Sequence, residues 1–385
     1  MVKYILHIIP GFGGGVASLV LNLAEEIINQ NIIFDILTYE QPPIYFAERV
    51  SKYGGRIFVV NDKSRIAKLK KINVIFKENN QKYELIHMHQ SGIQALSLSL
   101  LAKFNSISRT AIHSHITDKE GSSALKFKLR HYFEKIVNNS CSTHRLSCSK
   151  MASVYLYGQK PVVRHKIMHI PNAIIWENIC RKYDKFEIGQ YKKSLKIPEN
   201  ALVVGHLGYF GYQKNHEFML DIIDEMKNQG ICFVWLFAGV GTNQAKIIKI
   251  AQERHLEDNI RFLGRVNNVS LLYKAMDVMA LPSHFEGLPT VVIEAQAAGV
   301  PSVISDKVTT EADMGLDITC YISIDNAKNW VKALVEMAQV IIPSEIERFS
   351  IMSSRKFVVE ESAKLYRKFV EREIETYDLD EFDKL

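Results

Sequence analysis

Two glutamates stand eight positions apart in HFEGLPTVVIEAQAAGVP, residues 284–301. Glu286 and Glu294 interrupt an otherwise apolar run, where a buried carboxylate is costly unless it is paired or hydrogen-bonded. Between them, Gly287-Leu-Pro-Thr breaks one element and opens a helix, so one acid falls on a loop and the other one turn into the helix. A helical acid near an N-terminus gains about 0.3–1 kcal/mol from the dipole, which accounts for Glu294 alone. Glu286, before a glycine, needs another reason.

Other groups able to do chemistry sit at the ends of apolar runs. In the second half these are Gly208 with Lys214, Gly239 with Gly241, Arg265-Val266, and Ser283 through Thr290. The first half offers Gly11, Gly13, Gly14 and Gly15, then His87 and His89, then His113 and His115. In open parallel sheets, ligands bind beyond the carboxyl ends of the strands. GFGGGVASLVLNL invites a dinucleotide-binding reading, but the third glycine of that spacing would fall on Val16. Glycine there still allows close backbone approach, with a helix N-terminus facing an anion; a tight turn explains it equally well. His113 and His115 flank Ser114 and share one side of an extended strand. They suggest a metal pair, yet no carboxylate or cysteine partner stands at motif spacing, so no metal site is assigned.

The elements that must position these groups alternate short apolar runs with longer amphipathic stretches. Strands are expected at 3–9, 32–39, 55–60, 83–89 and 109–115, with 166–174 closing the first half. After a lysine-rich connector they resume at 201–208, 232–239, 260–264, 277–283 and 301–305. Stretches such as 16–30 place apolar residues at helical spacing. Strand, helix, strand repetition implies an α/β fold with parallel sheets covered on both faces. At 385 residues two domains are expected. Their bounds read as 1–175, a connector over 176–200, a second domain over 201–354, and a C-terminal segment over 355–385 ending in an acidic tail.

No apolar run reaches the roughly 18 residues of a membrane span, and the short N-terminal run reads as a first strand rather than a leader. Five scattered cysteines without metal-ligand spacing favour reduced thiols in a cytoplasmic protein. Net charge is +6, but residues 1–170 carry 23 lysines and arginines against 11 acids, a balance of +12, while the remainder carries 25 against 31, a balance of −6. The first half is therefore expected to face something anionic. Within 122–137, Leu125, Leu129, Phe133 and Ile136 share one helical face bordered by Lys126, Lys128, Arg130 and Lys135. That arrangement suits an anionic membrane surface; packing of the same face on the sheet is the alternative. No aromatic-basic motif of the nucleic-acid kind is present.

Taken in order, GHLGYFGYQKNHEF (205–218), FAGVGT (237–242), IRFLGRV (260–266) and HFEGLPTVVIEAQAAGVPSVIS (284–305) resemble the retaining glycosyltransferases of family 4, which have the GT-B fold. Glu286 and Glu294 match that family's paired glutamates. The glycine loop and AIHSHIT (111–117) look similar to its exopolysaccharide and capsule-building branch. The resemblance covers essentially the whole chain and is strongest after residue 200.

It implies two Rossmann-like domains facing a cleft, with a nucleotide sugar, UDP-linked by family habit, held mainly by the second. Lys214 would neutralise the departing diphosphate without a metal, helped by backbone N–H groups of Leu288, Thr290 and Val291 at a helix start. Glu294 would accept hydrogen bonds from ribose hydroxyls, Glu286 would contact the donor sugar, and Val266 would meet the base through its backbone. Gly208 and Gly239, with Gly13, Gly14 and Gly15, would let backbone approach the ligands. His113 matches the family histidine on the sugar side, with His115 as the competing assignment. The acceptor would be a saccharide or lipid-linked saccharide, the C-terminal helix would return to the first domain, and the enzyme would work in the cytoplasm at the inner face of the membrane. Two departures stand out: Tyr209 replaces the arginine that usually accompanies the lysine, and Ala17 replaces an acid after the glycine pair. A GT-B epimerase or phosphorylase, or a non-catalytic nucleotide-sugar-binding assembly subunit, is the alternative.

Overall fold

The structure, a computed structural model, describes residues 2–12, 15–28, 31–115 and 125–378, with Leu125 described by its backbone alone. Gly13 and Gly14 of the expected glycine loop lie outside these residues. The chain clusters into two compact units, Met1–Ala173 with Ser354–Leu385, and Ile174–Ser353.

Among the described residues, the first unit holds seven strands: β1 (Lys3–Ile9), β2 (Ile32–Thr38), β3 (Ile57–Val59), β4 (Tyr83–Met88), β5 (Thr110–Ser114), β6 (His144–Ser147) and β7 (Met168–His169). Their order is β3-β2-β1-β4-β5-β6-β7, and neighbours pair in parallel. The order steps from β1 to β3 on one side and resumes with β4 on the other. The sheet therefore opens a crevice between the carboxyl ends of β1 and β4, where such sheets take ligands. Leu6, Ile8, Ile86 and Ile112 pack with Phe76 and Leu98 of the covering helices.

The second unit repeats the plan with β8 (Leu202–Leu207), β9 (Phe233–Ala238), β10 (Ile260–Gly264), β11 (Val278–Leu281), β12 (Ser302–Ser305) and β13 (Thr319–Ile322). Its order, β10-β9-β8-β11-β12-β13, places the switch between β8 and β11. Trp235, Phe237, Ile222 and Trp330 form the centre of its core. Both sheets are parallel, as the alternation required. The sequence reading missed β6 and β13: each is four residues long, and HRLS and TCYI lack the continuous apolar run that marks a buried strand. The connector stretch lies in the second unit and carries two helices, Trp176–Ile179 and Lys185–Ser194. The second is closed by a capping box in which Asp184 and Glu187 exchange backbone N–H bonds at 2.7 and 2.9 Å.

The helix Val359–Val370 belongs to the first unit and packs on Gly15–Ile27. Its C-terminal carbonyls are met by buried Arg109, whose guanidinium donates to Val370 O at 2.9 Å and Phe369 O at 3.0 Å. A cation at that end complements the helix dipole. The helix Leu125–Cys141 is held by Asn138, whose Oδ1 accepts from Gly92 N at 2.7 Å. Its opposite face leaves Leu129, Phe133 and Ile136 exposed at 58, 56 and 48%, so these side chains do not pack on the sheet. Among the described residues no helix is long and apolar enough to cross a membrane.

Candidate active site

The second unit brings its chemistry to the β8/β11 switch. After β8 the chain makes a short 3-10 turn, Tyr212–Lys214, and enters the helix His216–Asn228 through Asn215 at φ 57°. Asparagine is among the few residues that tolerate this left-handed conformation. The turn aims Lys214 at the loop after β11, where Lys214 Nζ donates to Glu286 Oε1 at 2.7 Å. Ser283 Oγ donates to the same oxygen at 2.8 Å, and Gln213 Nε2 to Oε2 at 2.8 Å. Gln213 also bonds Phe285 O and accepts from His284 N, tying the two loops together. Glu286 is 7% exposed, so these charge-assisted bonds offset its desolvation.

Lys214 lies over Gly208. A Cβ at Gly208 would come within 2.9 Å of Lys214 Cε and 3.0 Å of His206 Nε2. Gly239 has φ +141°, and a Cβ there would meet Gly208 O at 1.9 Å. The loops after β8 and β9 therefore approach backbone to backbone. Tyr209, at the position of the usual arginine, is 57% exposed, and its hydroxyl accepts from Thr242 N at 3.3 Å. It supplies no charge.

Leu288 is buried just before the helix Thr290–Ala298, which opens without a side-chain cap. The N–H groups of Thr290 and Val291 fall in its first turn, where no preceding helical carbonyl is in register to accept them. Glu294, one turn on, accepts from Tyr273 Oη at 2.9 Å. Burial pushes its carboxyl up to about 7, with the tyrosine bond acting in the opposite direction. Val266 is half-buried in the loop after β10. The structure thus brings Lys214 and Glu286 into direct contact and joins Glu294 to Tyr273. Gln213 and Tyr273 escaped the sequence reading, which named Ser283 only as the start of a strand-end group; nothing in the types of Gln213 and Ser283 marks them as partners of Glu286, 73 and 3 residues on.

The remaining expected residues lie in the first unit. Gly15 opens the helix Gly15–Ile27. His113 stands on β5 among four other histidines. His87 Nε2 and His113 Nδ1 are 3.1 Å apart, His7 Nδ1 and His89 Nε2 3.1 Å, and His89 Nδ1 and His115 Nε2 2.8 Å. Tyr366 Oη lies 2.7 Å from His87 Nδ1 and 3.5 Å from His7 Nε2. Burial lowers all five imidazoles, His7 and His115 to about 3 and the others well below the usual histidine range. At neutral pH the cluster is uncharged. His113 Nε2 is buried with no hydrogen-bond partner among the described residues.

Residues 187–333 match the family described as Glycosyl transferases group 1, a span containing β8–β13, Lys214, Glu286 and Glu294. The chain is 28% identical over 341 residues to EpsF of Bacillus subtilis, named as a glycosyltransferase, covering 87% of this chain and 88% of that one. It is 28% identical over 306 residues to the capsular polysaccharide biosynthesis glycosyltransferase CapH of Staphylococcus aureus, covering 77 and 79%. An Escherichia coli UDP-Gal:alpha-D-GlcNAc-diphosphoundecaprenol alpha-1,3-galactosyltransferase is 25% identical over 301 residues, 76% of each chain. Among solved structures, Anabaena Alr3699/HepE in complex with UDP superposes with a TM-score of 0.76 at 15% identity, over 96% of this chain and 100% of that one. The glycosyltransferase WaaG, involved in lipopolysaccharide biosynthesis, gives 0.64 at 14% identity over 98 and 96%. With its two parallel sheets and the family match in the second, the chain has the GT-B fold and carries a group 1 glycosyltransferase domain over residues 187–333.

Proposed function

We propose that the chain transfers a sugar, with retention of anomeric configuration, from a UDP-linked donor to a saccharide or lipid-linked saccharide in surface polysaccharide synthesis. The observation that carries this reading is the Glu286 carboxylate, held by Lys214, Gln213 and Ser283 beside an uncapped helix start. The names of EpsF's and CapH's class of relatives, the UDP-galactose donor and diphosphoundecaprenol acceptor of the E. coli enzyme, and the UDP complex of HepE support the donor and acceptor classes.

In this reading, the anomeric carbon–oxygen bond to the diphosphate breaks as the acceptor hydroxyl attacks from the same face. The acceptor proton passes to the leaving phosphate oxygen, so no protein nucleophile is needed. Lys214 turns from Glu286 towards the growing phosphate charge, with the N–H groups of Leu288, Thr290 and Val291 as further donors. The diphosphate therefore needs no metal ion. Gly208 and Gly239 keep the loop backbones open to the ligand, the Val266 backbone meets the base, and Glu294 binds the ribose hydroxyls. Glu286 orients the donor sugar. In the first unit, Gly13, Gly14 and Gly15 serve close backbone approach and His113 Nε2 contacts the sugar. The protein works in the cytoplasm, docked on the inner membrane face by Leu129, Phe133 and Ile136 and the basic residues around them.

UDP- and GDP-sugars offered with a diphosphoundecaprenol-linked acceptor test the reading, with product configuration read by NMR. Transfer from a UDP-sugar with retention is expected. An inverted product, or UDP binding without transfer to any saccharide acceptor, would overturn it.

A further inference from the structure

On sequence grounds His113 and His115 make a pair with no third partner. The fold supplies one from the neighbouring strand: His89 follows β4, and its Nδ1 lies 2.8 Å from His115 Nε2. His89, His113 and His115 each place one ring nitrogen so that all three lie within 4.8 Å of one another. We infer that these three histidines form a binding site for one transition-metal ion of the zinc class, built wholly from first-unit residues.

The donor set selects the ion. Three imidazole nitrogens with no carboxylate among them suit Zn²⁺, Ni²⁺ or Cu²⁺ rather than Mg²⁺ or Ca²⁺. Tetrahedral zinc at about 2.0–2.1 Å from each nitrogen requires ligand atoms roughly 3.3–3.4 Å apart; the His89 and His115 nitrogens, at 2.8 Å, must therefore open by about half an ångström, and the His113 nitrogen, within 4.8 Å of both, must move in where it stands further off. His115 is half-buried at the strand end and gives the ion a way in.

The surrounding bonds fit ligation too. A metal-bound histidine usually donates its second ring N–H to an outer partner, which fixes the tautomer. His113 Nδ1 faces His87 Nε2, and His87 Nδ1 in turn faces Tyr366 Oη. His89 Nε2 faces His7 Nδ1, whose own Nε2 lies 3.5 Å from the same hydroxyl. With every ring proton directed towards Tyr366, His113 Nε2 and His89 Nδ1 are left with lone pairs, and the second of these faces His115 Nε2. His113 Nε2 is buried and has no hydrogen-bond partner among the described residues. Without an ion, a proton must lie between His89 Nδ1 and His115 Nε2, because two lone pairs at 2.8 Å repel. The ion takes that proton's place, and His115 carries its proton on Nδ1 instead. The alternative trio His7, His87 and His89 also lies within 4.8 Å, but both ring nitrogens of all three already have partners, and it lacks a nitrogen like His113 Nε2.

An ion here engages His113 Nε2, so metal loading opposes the sugar contact proposed above. That consequence rests on the proposed function; binding does not. Full-length protein stripped with a chelator should take up one equivalent of Co²⁺, with the visible absorption of a tetrahedral imidazole site, and release it to Zn²⁺. His115→Ala and His113→Gln should each abolish the band. His87→Phe and Tyr366→Phe should retain it while weakening affinity by about 10–100-fold, the scale of outer-partner losses. Circular dichroism confirms that each variant is folded, and His115→Ala, at the strand end, is the mildest change. Absence of stoichiometric binding overturns the inference. So does a band that survives His115→Ala, which would place the ion in the other trio.

Discussion

The two sheets break their strand order at equivalent places and furnish those places oppositely. At β1/β4 stand five imidazoles that share protons and carry no charge at neutral pH. At β8/β11 stands a full ion pair, Lys214 with Glu286, whose acid also accepts from Ser283 and Gln213. Burying two opposite charges is sustainable only with such bonds, whereas neutral rings need one donor and one acceptor each. The difference teaches how each sheet carries polarity at its switch: one site holds a buried cation against its acid, and the other holds polarity without net charge.

The largest effect should come from breaking the ion pair on one side. Lys214→Met leaves the Glu286 carboxylate buried with one donor fewer, a loss on the order of 3–5 kcal/mol of stability for a broken buried pair. Adding Glu286→Leu should recover most of it in denaturant melts. If the single variant is as stable as the parent, the pair is solvated and the contrast between the two sites fails.

Glu286→Gln keeps shape and most hydrogen bonds while removing charge. Turnover should fall by roughly two to three powers of ten, about 2.7–4 kcal/mol for one preorganised group, with UDP affinity nearly unchanged by calorimetry. Parallel losses of rate and affinity would instead place both glutamates in nucleotide binding.

Glu294→Ala should weaken UDP binding by about 1.5–3 kcal/mol, the range for hydrogen bonds to a charged group. Its pH dependence sharpens the point. With the folded carboxyl raised to about 7, its contribution to folding is fully present below the ordinary glutamate range and is lost as pH rises through 7. If Glu294 binds the ribose as proposed, the hydroxyls donate to its ionised form, so UDP should bind more tightly above pH 7 and release a proton when it binds at pH 6.5. Calorimetry in two buffers of different ionisation enthalpy counts that proton, and Glu294→Gln should remove it. A proton count unaffected by Glu294→Gln would detach the raised carboxyl from the nucleotide.

The smallest effect belongs to the exposed face of Leu125–Cys141. Lys128→Glu should weaken binding to vesicles containing anionic lipid by about 1 kcal/mol per charge removed, and added salt should do the same. Equal binding to neutral vesicles would defeat the electrostatic part.

Much of this contrast was legible along the chain. Glu286, Lys214 and the glycines stand at strand ends that the apolar runs mark out, and Glu294 stands one turn into the helix that follows. Their pairing was not legible, because Lys214 and Glu286 meet only when two loops 72 positions apart fold together. The histidine cluster was hidden for the same reason: His7, His89 and Tyr366 come from a first strand, a fourth strand and a last helix. Local pattern reports which side of a strand a residue faces; it does not report which strand lies alongside. Glu294 shows a further limit, since its raised carboxyl depends on burial beside Tyr273, which no spacing announces.

The Tyr366 hydroxyl ties the order of synthesis to the state of the first sheet. Histidines made early, on β1 and β4, wait for Tyr366, about 280 or more residues further on, and Arg109 waits for the carbonyls of Phe369 and Val370. Between them the ribosome must make the whole second unit, Ile174–Ser353. At about 5–20 residues per second that interval is roughly 10–40 s, during which the face destined for the last helix has no cover. The nascent first unit is therefore the half that most needs a chaperone, and loss of the last helix by truncation would leave it in that condition permanently.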